Sequence, residues 1–180
     1  MKEDQRTTLT RQLLKNALMD LLKENRLNKI TVKEICKKAE LNRATFYRYY
    51  GSPFDLIDEI QEDMIALITQ IDHLSHCDHT QTFRMLLITI AQNREWFKIL
   101  LSHPDINFIA KVIEKTASKS IVYITGNPED MQQVSYASYY LNYGFYFSIR
   151  LWLEKEEPES IEQMISIFKT INNRIFHDEI

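Results

Sequence analysis

Three glycines and four prolines in 180 residues leave this chain few places to turn sharply. Average usage, roughly 7% Gly and 5% Pro, would supply about 22 such residues. Sheets and sandwiches need them at almost every turn. A chain with so few, and with 44% apolar content to bury, is therefore expected to be all-α, with about nine helices. The length suits one ordinary domain plus a small appendage and excludes two large ones.

Cys36 and Cys77 fit neither a disulfide framework nor a Cys-x-x-Cys pair, which points to a reducing compartment. No run approaches the roughly 18 apolar residues of a membrane span, and Met1 to Thr8 hold no apolar signal core, so a cytoplasmic protein with no membrane partner is expected. Charge is distributed unevenly. Residues 1–50 carry 12 Lys+Arg against 6 Asp+Glu, a net of +6, and the remainder carries 10 against 19, a net of -9. A basic segment on an acidic body can mark a local nucleic-acid surface that a net charge of -3 conceals, and it can equally arise by chance.

Spacing and caps divide the chain further. Leu9, Leu13, Ala17 and Leu21, with Leu14, Leu18 and Leu22 beside them, form a wide apolar stripe, and a first helix is expected to end near Asn25. Thr31 with Glu34 three residues on makes a capping box, and Ile30 and Ile35 stand at the staple positions, so a second helix starts at Val32 and reaches about Ala39. After the short turn Glu40-Leu41, Asn42 caps a third helix expected over about Arg43 to Tyr49. Gly51, Ser52, Pro53 and Asp55 read as a stop followed by a start, and the fourth helix carries Phe54, Ile57, Ile60, Met64, Leu67, Ile68 and Ile71 on one face. Residues 72–79 read as a polar loop. Helices five to eight are expected at about 81–92, 95–101, 105–124 and 129–154, and a ninth opens at Pro158-Glu159. The composition changes near Gly51, which divides the chain into a head, residues 1–51, and a body, residues 52–180.

Two short helices around a tight turn, inside the basic segment, form a helix-turn-helix arrangement. The second presents Arg43, Ala44, Thr45, Tyr47, Arg48 and Tyr49. In a major groove, Arg can take a guanine edge with two hydrogen bonds, Ala and Thr methyls can meet thymine, and Thr and Tyr hydroxyls can hold phosphates. Phe46 and Tyr50, at i and i+4, face the interior. The same pattern also serves a plain helical corner, and the two readings are compatible.

The segment Ile30 to Ser52 resembles the DNA-binding head of the tetracycline-repressor (TetR) family, homodimeric bacterial repressors released from DNA by small ligands. The features that carry the resemblance are Thr31-Val32 ahead of Ile35, Ala39 closing the second helix, and Thr45-Phe46-Tyr47-Arg48-Tyr49-Tyr50 in the third. Tyr139-Tyr140, Tyr143-Gly144, Trp152-Leu153 and Pro158-Glu159 resemble the tail of one branch of the family. The resemblance implies base contacts from Arg43, Ala44 and Thr45, with Thr31, Tyr47 and Tyr49 near phosphates; Asn42 and Arg48 complete the set facing operator DNA. Departures are Glu40 where Gly is frequent, Asn42 for Ser or Thr, and Pro53 where many members have a phosphate-contacting Lys.

For the body, the resemblance implies a ligand site and a dimer interface of four helices, two from each chain. Ser138, Gly144 and Ser148 would permit close approach, and Met164, Phe168 and Ile171 would fill the seam of the homodimer. Met64, Leu67, Phe83, Trp96, Phe97, Phe108, Tyr139, Tyr143 and Phe147 are the apolar and phenolic side chains expected around a small hydrophobic effector, although each also suits a plain core. A co-activator that works with a protein partner, such as a kinase subunit, is the alternative within the same resemblance. No Gly-rich phosphate loop, Gly-x-Ser-x-Gly or His-Glu-x-x-His motif is present, so neither an enzyme nor a cofactor is expected. His73, His76 and His79 beside Cys77 are metal-ligand types, but their spacing matches no closed site and a solvated loop is the expectation.

Overall fold

The helix starts marked by capping residues in the head are where helices begin. The computed structural model describes residues 2–74, 79–115 and 131–177, and their regular structure is all helix, with no strand among the described residues. The elements are α1 (Lys2–Leu22), a 3-10 turn (Leu27–Lys29), α2 (Val32–Lys38), α3 (Arg43–Tyr47), α4 (Pro53–Leu74), α5 (His79–Gln92), α6 (Arg94–Ser102), α7 (108–115), α8 (Met131–Glu154) and α9 (Ile161–His177).

Two starts fall later than expected. α7 begins at Phe108 rather than Asp105, with the Asn107 carbonyl accepting from Lys111 N–H at 3.2 Å. α9 begins at Ile161 because Ser160 and Gln163 form a capping box: Ser160 N–H donates to Gln163 Oε1 (2.8 Å), and Gln163 N–H donates to Ser160 Oγ (3.2 Å). The expected loop at 72–79 is shorter, since α4 continues to Leu74 and α5 opens at His79. Residues 75–78, with His76 and Cys77, lie outside the described residues. Among the described residues no group of His, Cys, Asp or Glu side chains could hold a metal ion, and no helix is long and apolar enough to cross a membrane.

The chain forms two compact units. One comprises Met1–Ile65 with Ile99–Val112, and the other comprises Ala66–Lys98 with Ile113–Ile180. The division between these compact units falls inside α4. The first unit buries Leu14, Leu18, Ile35, Phe46, Leu56, Ile60 and Phe108. Its α1 faces inward with Leu14, Ala17, Leu18 and Leu22, which leaves Leu9 and Leu13 of the expected stripe exposed. The second unit packs α5 on α9 and buries Leu87, Ile90, Phe97, Ile149, Leu153 and Ile165. In it, Arg94 of α6 donates to the carbonyls of Leu153 (2.6 Å) and Lys155 (2.7 Å) and so caps the end of α8. Trp152 Nε1 donates to the Glu159 carbonyl at 2.8 Å across the α8–α9 turn.

The one positive φ on a non-Gly residue among the described residues is at Glu40, 55°. Leu41 N–H reaches the Cys36 carbonyl (2.9 Å) and Glu40 N–H the Lys37 carbonyl (3.4 Å), the two bonds of a Schellman stop. Glu40 therefore occupies the left-handed position that glycine fills without steric cost. Glu40→Gly is expected to stabilise the protein by about 1 kcal/mol, read as a rise in the urea midpoint with unchanged slope. Gly51 is different. Its N–H donates to Asp55 Oδ2 at 2.8 Å, and an added Cβ would lie 2.9 Å from that oxygen, so glycine admits the carboxylate rather than a left-handed turn.

Candidate nucleic-acid interface

The α2–α3 corner is held by side chains that close their own helix ends. Thr31 accepts from Glu34 N–H (3.3 Å), and Glu34 Oε2 accepts from both the Thr31 backbone (2.8 Å) and hydroxyl (2.7 Å), completing the capping box. The Thr31 hydroxyl and backbone bonds hold the Glu34 carboxyl below the usual carboxylate range. At α3, Asn42 Oδ1 accepts from Thr45 N–H (2.7 Å) and from the Thr45 hydroxyl (2.9 Å). α3 ends at Tyr47 rather than Tyr49, as the N–H groups of both Tyr49 and Tyr50 converge on the Phe46 carbonyl.

The expected inward and outward faces of α3 are both present. Phe46 and Tyr50 are buried with ring centroids 5.6 Å apart, and Tyr47 meets Phe46 edge-on at 5.7 Å. Arg43, Ala44, Tyr47 and Arg48 are exposed, and Thr45 and Tyr49 are half-buried. Arg43, Arg48 and Lys37 of α2 make no ion pair among the described residues. The corner thus offers two guanidiniums, an ammonium, a methyl and a phenol to solvent. Thr31 and Thr45, by contrast, have hydroxyls bonded to Glu34 and Asn42 within the caps.

Behind the corner lies a charged brace absent from the sequence reading. Arg11 Nε donates to the Tyr50 hydroxyl at 3.3 Å, and the Arg11 guanidinium also pairs with Glu59 of α4. Lys15, only 7% exposed, pairs with Glu59 and Asp63, each at 2.5 Å. Burial alone would push the Glu59 carboxyl up, but the bonds from Lys15 and Arg11 outweigh it and hold the group below the usual range. Lys15 shows the mirror image: burial would lower it, and the bonds to Asp63 and Glu59 raise it. A sequence signal existed, because Arg11 and Lys15 are four apart, as are Glu59 and Asp63, so one turn of each helix matches the other.

The residues expected around an effector belong to both units, Met64 and Phe108 to the first and the others to the second. Met64, Phe97 and Phe108 are core side chains, and Leu67, Phe83 and Trp96 are half-buried. Tyr139, Tyr143 and Phe147 lie on the exposed face of α8, with Tyr139 and Tyr143 stacked at 6.3 Å. Of the six expected dimer residues, Met164 and Phe168 are buried within their own chain, where Phe168 meets Phe83 at 5.3 Å and Phe145 at 5.2 Å. Ile171 is exposed, the Ser148 hydroxyl donates to the Gly144 carbonyl (2.8 Å), and the side chain of Ser138 lies outside the described set. A Cβ added to Gly144 would meet nothing within 4 Å.

Comparison with known proteins agrees with this geometry. A model of the TetR group described as "Transcriptional regulator C-terminal region" matches residues 78–174. Over 164 residues, covering 84% of the chain, the sequence is 27% identical to YxbF, an HTH-type transcriptional regulator of Bacillus subtilis. Over 127 residues, covering 64% of the chain, it is 27% identical to DhaS, the HTH-type dhaKLM operon transcriptional activator of Lactococcus lactis. The chain spans 42% and 66% of the lengths of these two relatives. In fold it is similar to a TetR transcriptional regulator from Streptococcus agalactiae, with TM-score 0.71, 22% identity, and coverage of 95% of this chain and 97% of that one. It is also similar to a putative TetR-family regulator from Syntrophomonas wolfei, with TM-score 0.70, 18% identity, and coverage of 95% and 96%.

Proposed function

The chain belongs to the TetR family of transcriptional regulators, which are not enzymes, and from that premise we propose that it is a cytoplasmic, homodimeric repressor that reads a palindromic operator and leaves it when a small hydrophobic effector binds. The head over residues 1–51 reads the DNA, and the body over 52–180 dimerises and takes the effector. The observation that carries this reading is the α2–α3 corner, where capped backbone presents Arg43, Ala44, Tyr47 and Arg48 outward while Phe46 and Tyr50 anchor the helix behind them. Exposed cations at the start and the end of α3, with no ion pair among the described residues, are the chemistry of base-edge and phosphate contact.

Arg43→Ala is expected to cost about 1 to 3 kcal/mol of specific binding and to relax selectivity at one base pair, whereas Tyr47→Phe weakens all duplexes alike. Competition binding against a panel of single-base operator variants measures both. An unaltered base preference in Arg43→Ala removes Arg43 from the reading set.

The dimer seam in this reading is the exposed α8 face, Tyr136, Tyr139, Tyr140, Tyr143, Phe147 and Leu151, continued by Ile167 and Ile171 of α9. Two observations support it. Tyr136 is 82% exposed and its neighbours follow at helical spacing, a contiguous apolar surface that water covers poorly. A mid-helix glycine costs about 1 kcal/mol relative to alanine, and nothing in its own chain requires Gly144 to be small. The part-exposed apolar side chains Leu67, Phe83 and Trp96 of the second unit support an apolar effector. Similarity to DhaS, an operon transcriptional activator, favours a second reading, in which the chain activates transcription. A reporter gene behind the selected operator separates the two: deletion of the regulator raises expression under the first reading and lowers it under the second.

A further inference from the structure

The turn between α6 and α7 is fastened to the end of α1 through one imidazole. Asp105 N–H donates to His103 Nδ1 at 3.3 Å, and His103 Nε2 lies 3.1 Å from the Asn25 carbonyl oxygen. A backbone N–H can only donate, so Nδ1 is the acceptor; a carbonyl can only accept, so Nε2 carries the hydrogen. Both bonds exist together only in the neutral Nε2–H tautomer. We propose that His103 is a proton-sensitive clasp joining the α6–α7 turn to the turn that leads from α1 toward the helix-turn-helix.

The charged groups at the clasp give it a second state. On the α6–α7 side stands the Asp105 carboxylate. Its Oδ2 is buried without a hydrogen-bond partner, and its Oδ1 lies 3.8 Å from Arg26, the residue after Asn25. On the α1 side, Lys23 pairs with Asp20 at 3.0 Å, and Glu24 is exposed. Protonation places a hydrogen on Nδ1, where it confronts the Asp105 N–H donor to donor. The open acceptor on the same residue is Oδ2, so the charged ring exchanges the backbone N–H of Asp105 for its carboxylate, in competition with Arg26. The Asn25 bond persists and becomes charge-assisted. The Asp105 backbone, three residues before α7, is thereby released while the α1 turn stays held.

Neither the clasp nor its test depends on the proposed function. The experiment is NMR on the full 15N-labelled chain and on His103→Gln, whose amide does not titrate, with the His103 ring signals identified by their loss in the variant. At pH 8 the ring is expected as the Nε2–H tautomer. Between pH 8 and 5.5 the protection of the Asp105 amide against hydrogen exchange is expected to fall about 5- to 10-fold, the weight of one hydrogen bond, and to stay flat in the variant. An Nδ1–H tautomer at pH 8, or the same pH course in both proteins, overturns the proposal.

Discussion

Glu59→Ala is expected to destabilise the protein by about 2 to 3 kcal/mol, lowering the urea midpoint without changing the slope. The substitution leaves Lys15, which is 7% exposed, with Asp63 alone, and it takes from Arg11 the carboxylate that steadies its bond to Tyr50. Lys15→Met is expected to cost under about 1 kcal/mol, because it removes the buried charge and leaves carboxylates that water and Arg11 can still reach. Equal losses from the two variants would contradict the brace. The pH dependence follows from the same groups. The folded Glu59 carboxyl is lowered, so its contribution is complete above the unfolded value of about 4.3 and is lost as pH falls through the folded one. Lys15 is raised, so its contribution is complete below about 10.4 and is lost as pH rises through its folded value. Wild type is therefore expected to lose stability on both sides of this range. Glu59→Ala is expected to show a shallower loss on the acid side.

Phe168 and Phe147 should separate folding from assembly. Phe168→Ala removes a buried ring that touches both Phe83 and Phe145, at an expected cost of about 3 to 5 kcal/mol, enough to unfold the second unit. Phe147 is 48% exposed, so Phe147→Glu is expected to keep the helical circular-dichroism signal while sedimenting as a monomer. If Phe147→Glu remains a dimer at micromolar concentration, the α8 face is not the seam.

Local chemistry made the head legible. Thr31 with Glu34, Asn42, and Ser52 with Pro53 each close a helix end within four residues, and each start falls where those residues put it. The left-handed turn at Glu40 follows from the same shortage of space between two helices. The matching four-residue spacings of the brace do not say that the two turns meet, because its partners are 48 residues apart and a lysine next to Leu14 reads as solvated until Glu59 and Asp63 are brought to it. α8 is ambiguous for another reason. With aromatics on every side of the wheel its periodicity selects no face, and only the fold shows that Tyr139, Tyr143 and Phe147 share an exposed one. Phe168 has the converse ambiguity, since an apolar stripe on α9 fits its own α5 as well as a second chain.

Selection from a random duplex library with the purified full chain, followed by sizing of the complex, tests the central claim most directly. The account predicts enrichment of one two-fold symmetric sequence with half-sites about one helical turn or a multiple apart, bound by two copies of the chain or a multiple of two. A library that stays unenriched after repeated rounds, or an asymmetric site held by a single chain, contradicts it.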